Sequence, residues 1–293
     1  MRVSLRDTYK SAVLRNIALN YLFKKNKEFM LIKGNKRFVT FAHDYIGSFI
    51  AVDGLFERIE LHGLISYLER YYPKIFSKVL IDVGANIGNH TVYFSDHFKR
   101  VVAFEAHPEI HKILSFNTST TDNIEVYNIG LSDCDQKLNI KSDLLNMGAS
   151  RIDFSDDNSD LMPVNLKVGD QVLSEISDIG VIKIDVEGME KNVLRGLVKT
   201  IVKQRPIIIF EQHFADFADR ENETEAISFL RNLGYEMVVI KISKNSGKNW
   251  FYRRINNLKS LLLGAYTHVD MELVSNVVPG SYPMIIAVCN KNF

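Results

Sequence analysis

From Val79 onward, short apolar runs alternate with stretches whose apolar positions recur at helical spacing. The runs predict strands at Val79–Val83, Arg100–Phe104, Ile124–Gly130, Val181–Ile184, Pro206–Phe210, Met237–Ile242 and Met284–Cys289. Helices are predicted between most of them, at Asn89–Phe98, Glu109–Thr118, Gly188–Lys203 and Glu223–Leu233. Strand–helix alternation implies a mostly parallel sheet of seven strands covered by helices on both faces. Residues 135–178 break the pattern and read as polar and irregular, with strand-like pieces at Lys137–Ile140 and Val164–Val168. The run SDDNSD at 155–160 reads as a solvated loop.

The first 75 residues carry a different pattern. Val13, Ile17, Ala18, Tyr21 and Leu22 recur at helical spacing, so residues 1–24 predict an amphipathic helix. Residues 27–51 predict short antiparallel strands, EFMLIKG and KRFVTFA, turning at Gly34-Asn35. Residues 53–72 place Leu55, Ile59, Leu61, Leu64, Ile65 and Leu68 on one helical face, and Pro73 ends the helix. The expected organisation is an α+β extension over 1–75 and an α/β domain over 76–293, with an insertion at about 241–280.

Composition narrows this picture. A chain of 293 residues with 46% hydrophobic and 24% charged residues can build a full core. A net charge of +1 gives no global pull toward nucleic acid, so no nucleic-acid partner is expected. Cys134 and Cys289 have no metal-ligand spacing and form no disulfide framework, which suits a reducing, cytoplasmic setting. No apolar run approaches the roughly 20 residues of a membrane span, and the N-terminus does not read as a signal peptide.

The chemistry begins at VLIDVGANIGNHTV, residues 79–92. Strand, glycine turn and helix bring backbone N–H groups close to a ligand. Gly84 and Gly88 admit close approach, and Asn86 tolerates the left-handed turn between them. The spacing is not G-x-G-x-x-G, because Asn86 holds the middle position, and no P-loop is present. About twenty residues on, Glu105 closes the next strand, where a carboxylate accepts hydrogen bonds from ribose hydroxyls. In IGLSD, Gly130 and Leu131 present backbone to a purine and Asp133 can accept from its amine. Each feature alone is also a cap or a surface turn; the three in register favour a nucleoside cofactor.

DVGANIG, the Phe-Glu-Ala of VVAFEA, NIGLSD and KIDVEGME resemble the FkbM family of S-adenosylmethionine-dependent methyltransferases, over roughly residues 50–240. The resemblance implies a class I methyltransferase fold, a Rossmann-like seven-stranded sheet in the order 3-2-1-4-5-7-6 with the last strand antiparallel. It implies O-methylation of a sugar, glycan or natural-product hydroxyl, with S-adenosylmethionine as cofactor. The predicted cofactor site comprises Asp82, Gly84, Asn86, Gly88, Asn89, Thr91, Glu105, Ala106, Gly130, Leu131, Asp133 and Asp185. Ala106-His107-Pro108 departs from the family, in which Glu-Pro is common at this point.

Catalytic candidates lie at the fourth and fifth strand ends. Asp185 closes an apolar strand and needs partners. Glu187 reads equally as a cap attracted by the helix dipole. Glu211 and His213 close the fifth strand; His213 is read as the general base, with Glu211 or Asp185 orienting it. The alternative is Mg²⁺ or Mn²⁺ held by Asp185, Glu187 and Glu211. A basic, aromatic stretch at 241–263 reads as a solvated helix, a lid over the acceptor or a peripheral membrane contact. Two rival functions remain open: a dinucleotide-dependent oxidoreductase, weakened by Asn86, and a non-catalytic cofactor-binding scaffold. The sequence leaves the oligomeric state open.

Overall fold

The computed structural model describes residues 38–41, 45–141, 161–217, 223–244 and 267–289, together with Ile17, Asn20, Tyr21 and Lys24. The order of the main elements is α1 (Tyr45–Asp53), α2 (Arg58–Tyr71), β1 (Val79–Val83), α3 (Asn89–Ser95), β2 (Arg100–Phe104), α4 (Pro108–Thr118) and β3 (Ile124–Tyr127). Then follow β4 (Gly130–Ser132), β5 (Gln136–Lys141), β6 (Leu161–Val168), α5 (Gly169–Val172), β7 (Ile179–Ile184), α6 (Glu190–Gly196), α7 (Val198–Gln204) and β8 (Ile207–Gln212). The chain closes with α8 (Glu225–Asn232), β9 (Tyr235–Lys244), β10 (Thr267–Val274) and β11 (Tyr282–Cys289).

One sheet of eight strands carries the molecule, in the order β10-β9-β11-β8-β7-β1-β2-β3. Five central strands are parallel. β11 runs antiparallel to both β8 and β9, and β10 antiparallel to β9. This corrects the expected count of seven strands to eight: β3-β2-β1-β7-β8-β11-β9 keeps the expected order 3-2-1-4-5-7-6 with its last strand antiparallel, and one strand is added at the β9 edge. β10 forms an extra edge beyond β9, where the sequence reads as insertion. Ile124–Gly130 is also corrected: it divides into β3 of the main sheet and β4 of a second sheet ordered β4-β6-β5. The strand-like pieces expected at Lys137–Ile140 and Val164–Val168 are β5 and β6 of this second sheet.

Strand residues alternate between two cores, as a period of two demands. Ile81, Val83, Val102, Phe104, Ile182, Ile184, Ile208 and Phe210 pack on one face with Val193, Leu194, Ile201, Ile227 and Leu230. Leu80, Val101, Val181, Ile207 and Ile209 pack on the other with Leu61, Leu64, Ile65 and Leu68 of α2. The predicted helix over 188–203 is two helices, α6 and α7, meeting at Leu197.

The extension differs from expectation where it is described. Phe38–Phe41 is not a strand and Tyr45–Asp53 is a helix, so its described part is α rather than α+β. The helix predicted from residue 53 starts at Arg58, after a break at 54–57. Pro73 opens a 3-10 turn, Pro73–Ser77. Ile17, Asn20, Tyr21 and Lys24 are helical. The hairpin strand at 28–34, the loop at 155–160 and residues 245–263 of the basic stretch lie outside the described residues.

Candidate active site

The carboxyl ends of β1, β2, β7 and β8, with β4, border one cavity of about 340 Å³. This is where an open α/β sheet binds ligands. Gly84 leaves β1 with φ +78°, and a Cβ there would lie 1.8 Å from the Asp185 carbonyl oxygen. Only glycine lets the two strand ends come together. Asn86 takes the left-handed conformation at φ 51°, and Gly88 follows at φ 93°. The turn thus has the shape its residues predict.

Glu105 sits at the centre of this turn. Its Oε2 accepts from Asn86 N–H at 2.9 Å and its Oε1 from His107 N–H at 2.8 Å. Burial, which outweighs those two hydrogen bonds, pushes its carboxyl up to about 7. The departure at Ala106-His107-Pro108 has a local role. His107 Nδ1 accepts from Glu109 N–H and Ile110 N–H, and Pro108 opens α4, so the histidine is the helix cap. Burial lowers the His107 pKa, which keeps Nδ1 an acceptor.

Beneath the cavity lies a buried charge cluster that the sequence did not reveal. Lys183 Nζ is 3.2 Å from Asp82 Oδ1 and 3.2 Å from Asp185 Oδ2. Asp82 is 0% and Lys183 4% exposed. Thr91 Oγ1 donates to Asp82 Oδ2 at 2.7 Å. Burial opposes the charge on Lys183, but Asp185 and Asp82 raise its pKa on balance. Burial likewise opposes ionisation of Asp185, and Lys183 holds its pKa down. Glu211 is pushed up to about 9, first by burial and then by Asp185, with which it shares a hydrogen bond. At neutral pH the Glu211 O–H therefore donates to the Asp185 carboxylate.

The predicted cofactor residues divide by place. Gly84, Asn86, Asn89, Glu105, Ala106, Gly130, Leu131 and Asp185 line the cavity, as do Glu187 and Glu211. Asp82 and Thr91 lie behind it, bonded to each other. Gly88 faces Leu114, where a Cβ would meet the leucine at 2.8 Å, so it packs α3 on α4. Asp133 lies outside the lining and accepts from Asn192 of α6 at 3.3 and 3.4 Å.

His213 also lies outside the lining, at its rim. Its Nε2 is 3.5 Å from Glu211 Oε1 and 3.6 Å from Glu187 Oε2, and Asp216 accepts from its backbone N–H at 2.7 Å. Glu187 takes φ 50° before Gly188. The turn's N–H groups go instead to Glu190, which accepts from Val186 and Gly188, so Glu190 and not Glu187 caps this turn. Tyr45, Phe56, Glu57 and His90 line the cavity too, and no sequence signal marked them.

Among the described residues no three His, Cys, Asp or Glu side chains are grouped to hold a metal ion. Asp185 is committed to Lys183, and Glu211 to Asp185. The predicted Asp185–Glu187–Glu211 set therefore does not fit Mg²⁺ or Mn²⁺. A cationic nucleoside fits better. Glu105, Asp185 and Glu187 are the acids at the strand ends, and Lys183 is the one ammonium among the described lining residues.

A model of the methyltransferase FkbM domain matches residues 82–237. Among solved structures, the chain is similar to methyltransferase FkbM from Methylobacillus flagellatus KT at 20% identity and a TM-score of 0.33. That match takes in 46% of this chain and 32% of the other, so the chain spans about a third of its length. An O-methyltransferase from Bacillus cereus in complex with SAH matches at 12% identity and a TM-score of 0.40, over 94% of this chain and 97% of that one. Precorrin-6y C5,15-methyltransferase from Geobacter metallireducens GS-15 matches at 14% identity and a TM-score of 0.38, over 72% and 81%. No curated protein matches the chain. The matched family segment covers more than half of the chain and contains every strand end that borders the cavity, and the protein belongs to the FkbM family of methyltransferases.

Proposed function

We propose that this methyltransferase uses S-adenosylmethionine to methylate a hydroxyl of a sugar, glycan or natural product. The observation that carries the reading is the cavity's charge: three acids, Glu105, Asp185 and Glu187, and one ammonium at the strand ends suit a ligand with a sulfonium and an ammonium group. Glu105 keeps lone pairs on both carboxylate oxygens for the two ribose hydroxyls, while Asn86 and His107 fix its orientation. Gly84, Gly130 and Leu131 bring backbone against the nucleoside. When bound, the cofactor supplies an activated methyl group for in-line displacement.

The chain's own residues have two further tasks. They align the acceptor oxygen with the methyl carbon and sulfur. They also remove a proton from a weakly acidic hydroxyl. In this reading the acceptor oxygen arrives beside Asp185 and Glu211, which share one hydrogen bond in the cavity wall. His213 beside Glu211 is the base in this reading, and Asp216 holds its backbone in place.

His213→Ala is expected to lower turnover roughly 10²–10⁴-fold. Its affinity for S-adenosylhomocysteine should stay within about twofold, because the ring is outside the cavity. The assay is methyl addition, followed by mass spectrometry, to hydroxylated glycans. Full turnover in the variant contradicts the assignment.

A further inference from the structure

Residues 45–57 precede the segment that defines the family, yet Tyr45, Ile46, Phe56 and Glu57 line the cavity. Asn89 fastens them there. Phe56 N–H donates to Asn89 Oδ1 at 3.0 Å, and Asn89 Nδ2 donates to the Phe56 carbonyl at 3.1 Å. Asn89 opens α3 directly after the glycine turn. The loop that shapes the cofactor site therefore also sets the position of the extension.

Glu57 is held in the left-handed region, φ 54° and ψ 35°, with no side-chain cap on α2. Non-glycine residues kept there cluster where function needs them. Its Oε2 lies 3.2 Å from His90 Nε2. His90 is 8% exposed, and its Nε2 makes no aligned hydrogen bond among the described residues. An imidazole nitrogen is thus buried at the cavity wall beside a carboxylate. Next to this pair stands an aromatic cluster. Tyr45 and Phe49 have ring centroids 4.9 Å apart, and Phe56 lies 6.0 and 5.9 Å from them. Tyr45 is 62% exposed and Phe49 41%, a large apolar area to leave in water.

Aromatic faces beside a donor–acceptor pair suit one kind of ligand. The C–H face of a sugar ring packs on aromatic carbon, and its hydroxyls reach a carboxylate and an imidazole. Charge narrows the class. Glu57 and Glu187 repel an anionic sugar from the same wall, whereas an uncharged ring meets no such cost.

We propose that Tyr45, Phe56, Glu57 and His90 form the acceptor subsite, and that it takes an uncharged sugar ring in preference to a uronic acid. The inference rests on the methyl-transfer reading above. Glu57 and His90 position the acceptor; they carry no proton step.

The test has two parts on the full chain. Calorimetry first measures S-adenosylhomocysteine binding to the wild type, Tyr45→Ala and Glu57→Gln. Saturation-transfer NMR then probes each complex with methyl α-D-glucopyranoside, methyl α-D-galactopyranoside and glucuronic acid. Expected are equal cofactor affinities, a ring signal from at least one neutral glycoside, a weaker one from glucuronic acid, and an about tenfold loss of the neutral signal in each variant. An unchanged neutral signal in the variants, a stronger signal from glucuronic acid, or no ring signal in the wild type overturns the subsite. Failure of the wild type to bind S-adenosylhomocysteine is a separate result, which overturns the methyl-transfer reading and the subsite with it. Tyr45 is largely exposed and Glu57→Gln keeps the side chain's size, so both variants should fold; thermal melts verify it.

Discussion

Glu105 shows how one buried carboxylate couples folding to ligand binding. Its pKa rises from 4.5 to about 7 in the folded state. The folded chain thus holds a proton that the unfolded chain releases. Stability from this group is full below about pH 4.5 and falls as pH rises toward 7. In the proposed reading ribose hydroxyls donate to the ionised form, which gives ligand affinity the opposite slope. S-adenosylhomocysteine binding is expected to weaken by up to about tenfold per unit below pH 7. Glu105→Gln should flatten that profile in calorimetry across pH 5–8; a profile unaffected by the substitution would show that Glu105 does not titrate with binding. Glu105 was legible because an acid closing the second strand has a chemical reason to be there. His90 and Glu57 were not. A histidine in a helix's first turn and a glutamate before a helix both read as ordinary solvated residues, and only the fold brings them within 3.2 Å.

At the scale of elements, β7 shows why a buried charge hides in a strand. VIKI reads as an apolar run, and Lys183 looks like a tolerated interruption. In the sheet it pairs in register with Asp82 on β1, and Asp185 follows two residues on. Lys183→Met would leave the buried Asp82 carboxylate without its cation. The expected loss is about 3–5 kcal/mol by urea denaturation, and a loss under about 1 kcal/mol would contradict the pairing. The parallel strands were legible because each is a buried apolar run bounded by a turn. Residues 45–51, placed in the region of short strands, are helical instead, because aromatic and β-branched residues favour a strand only locally. Tertiary packing decides otherwise: Ile50 is buried against Ile87 and Ile110, next to the glycine turn. β10 escaped for a related reason. His268, Asp270 and Leu273 are exposed or nearly so, as suits an edge, and give little apolar periodicity.

The whole molecule joins a family core to an extension that completes its cavity. The strand-end half of the cavity was readable from Gly84, Asn86 and Glu105, all of which line it. The proposed acceptor half comes from residues 45–57 and α3, more than thirty positions apart in sequence for Phe56 and Asn89. No local pattern reports such a contact. Among the described residues no helix is long and apolar enough to cross a membrane. In the proposed reading the surrounding acids favour a cationic nucleoside over a pyrophosphate-bearing dinucleotide. Calorimetry with S-adenosylhomocysteine and NAD, on the wild type and Glu105→Ala, puts this to the test. S-adenosylhomocysteine should bind one per chain, weaken at least about tenfold in Glu105→Ala, and NAD should give no heat. Heat from NAD and none from S-adenosylhomocysteine, or binding indifferent to Glu105, would contradict the assignment.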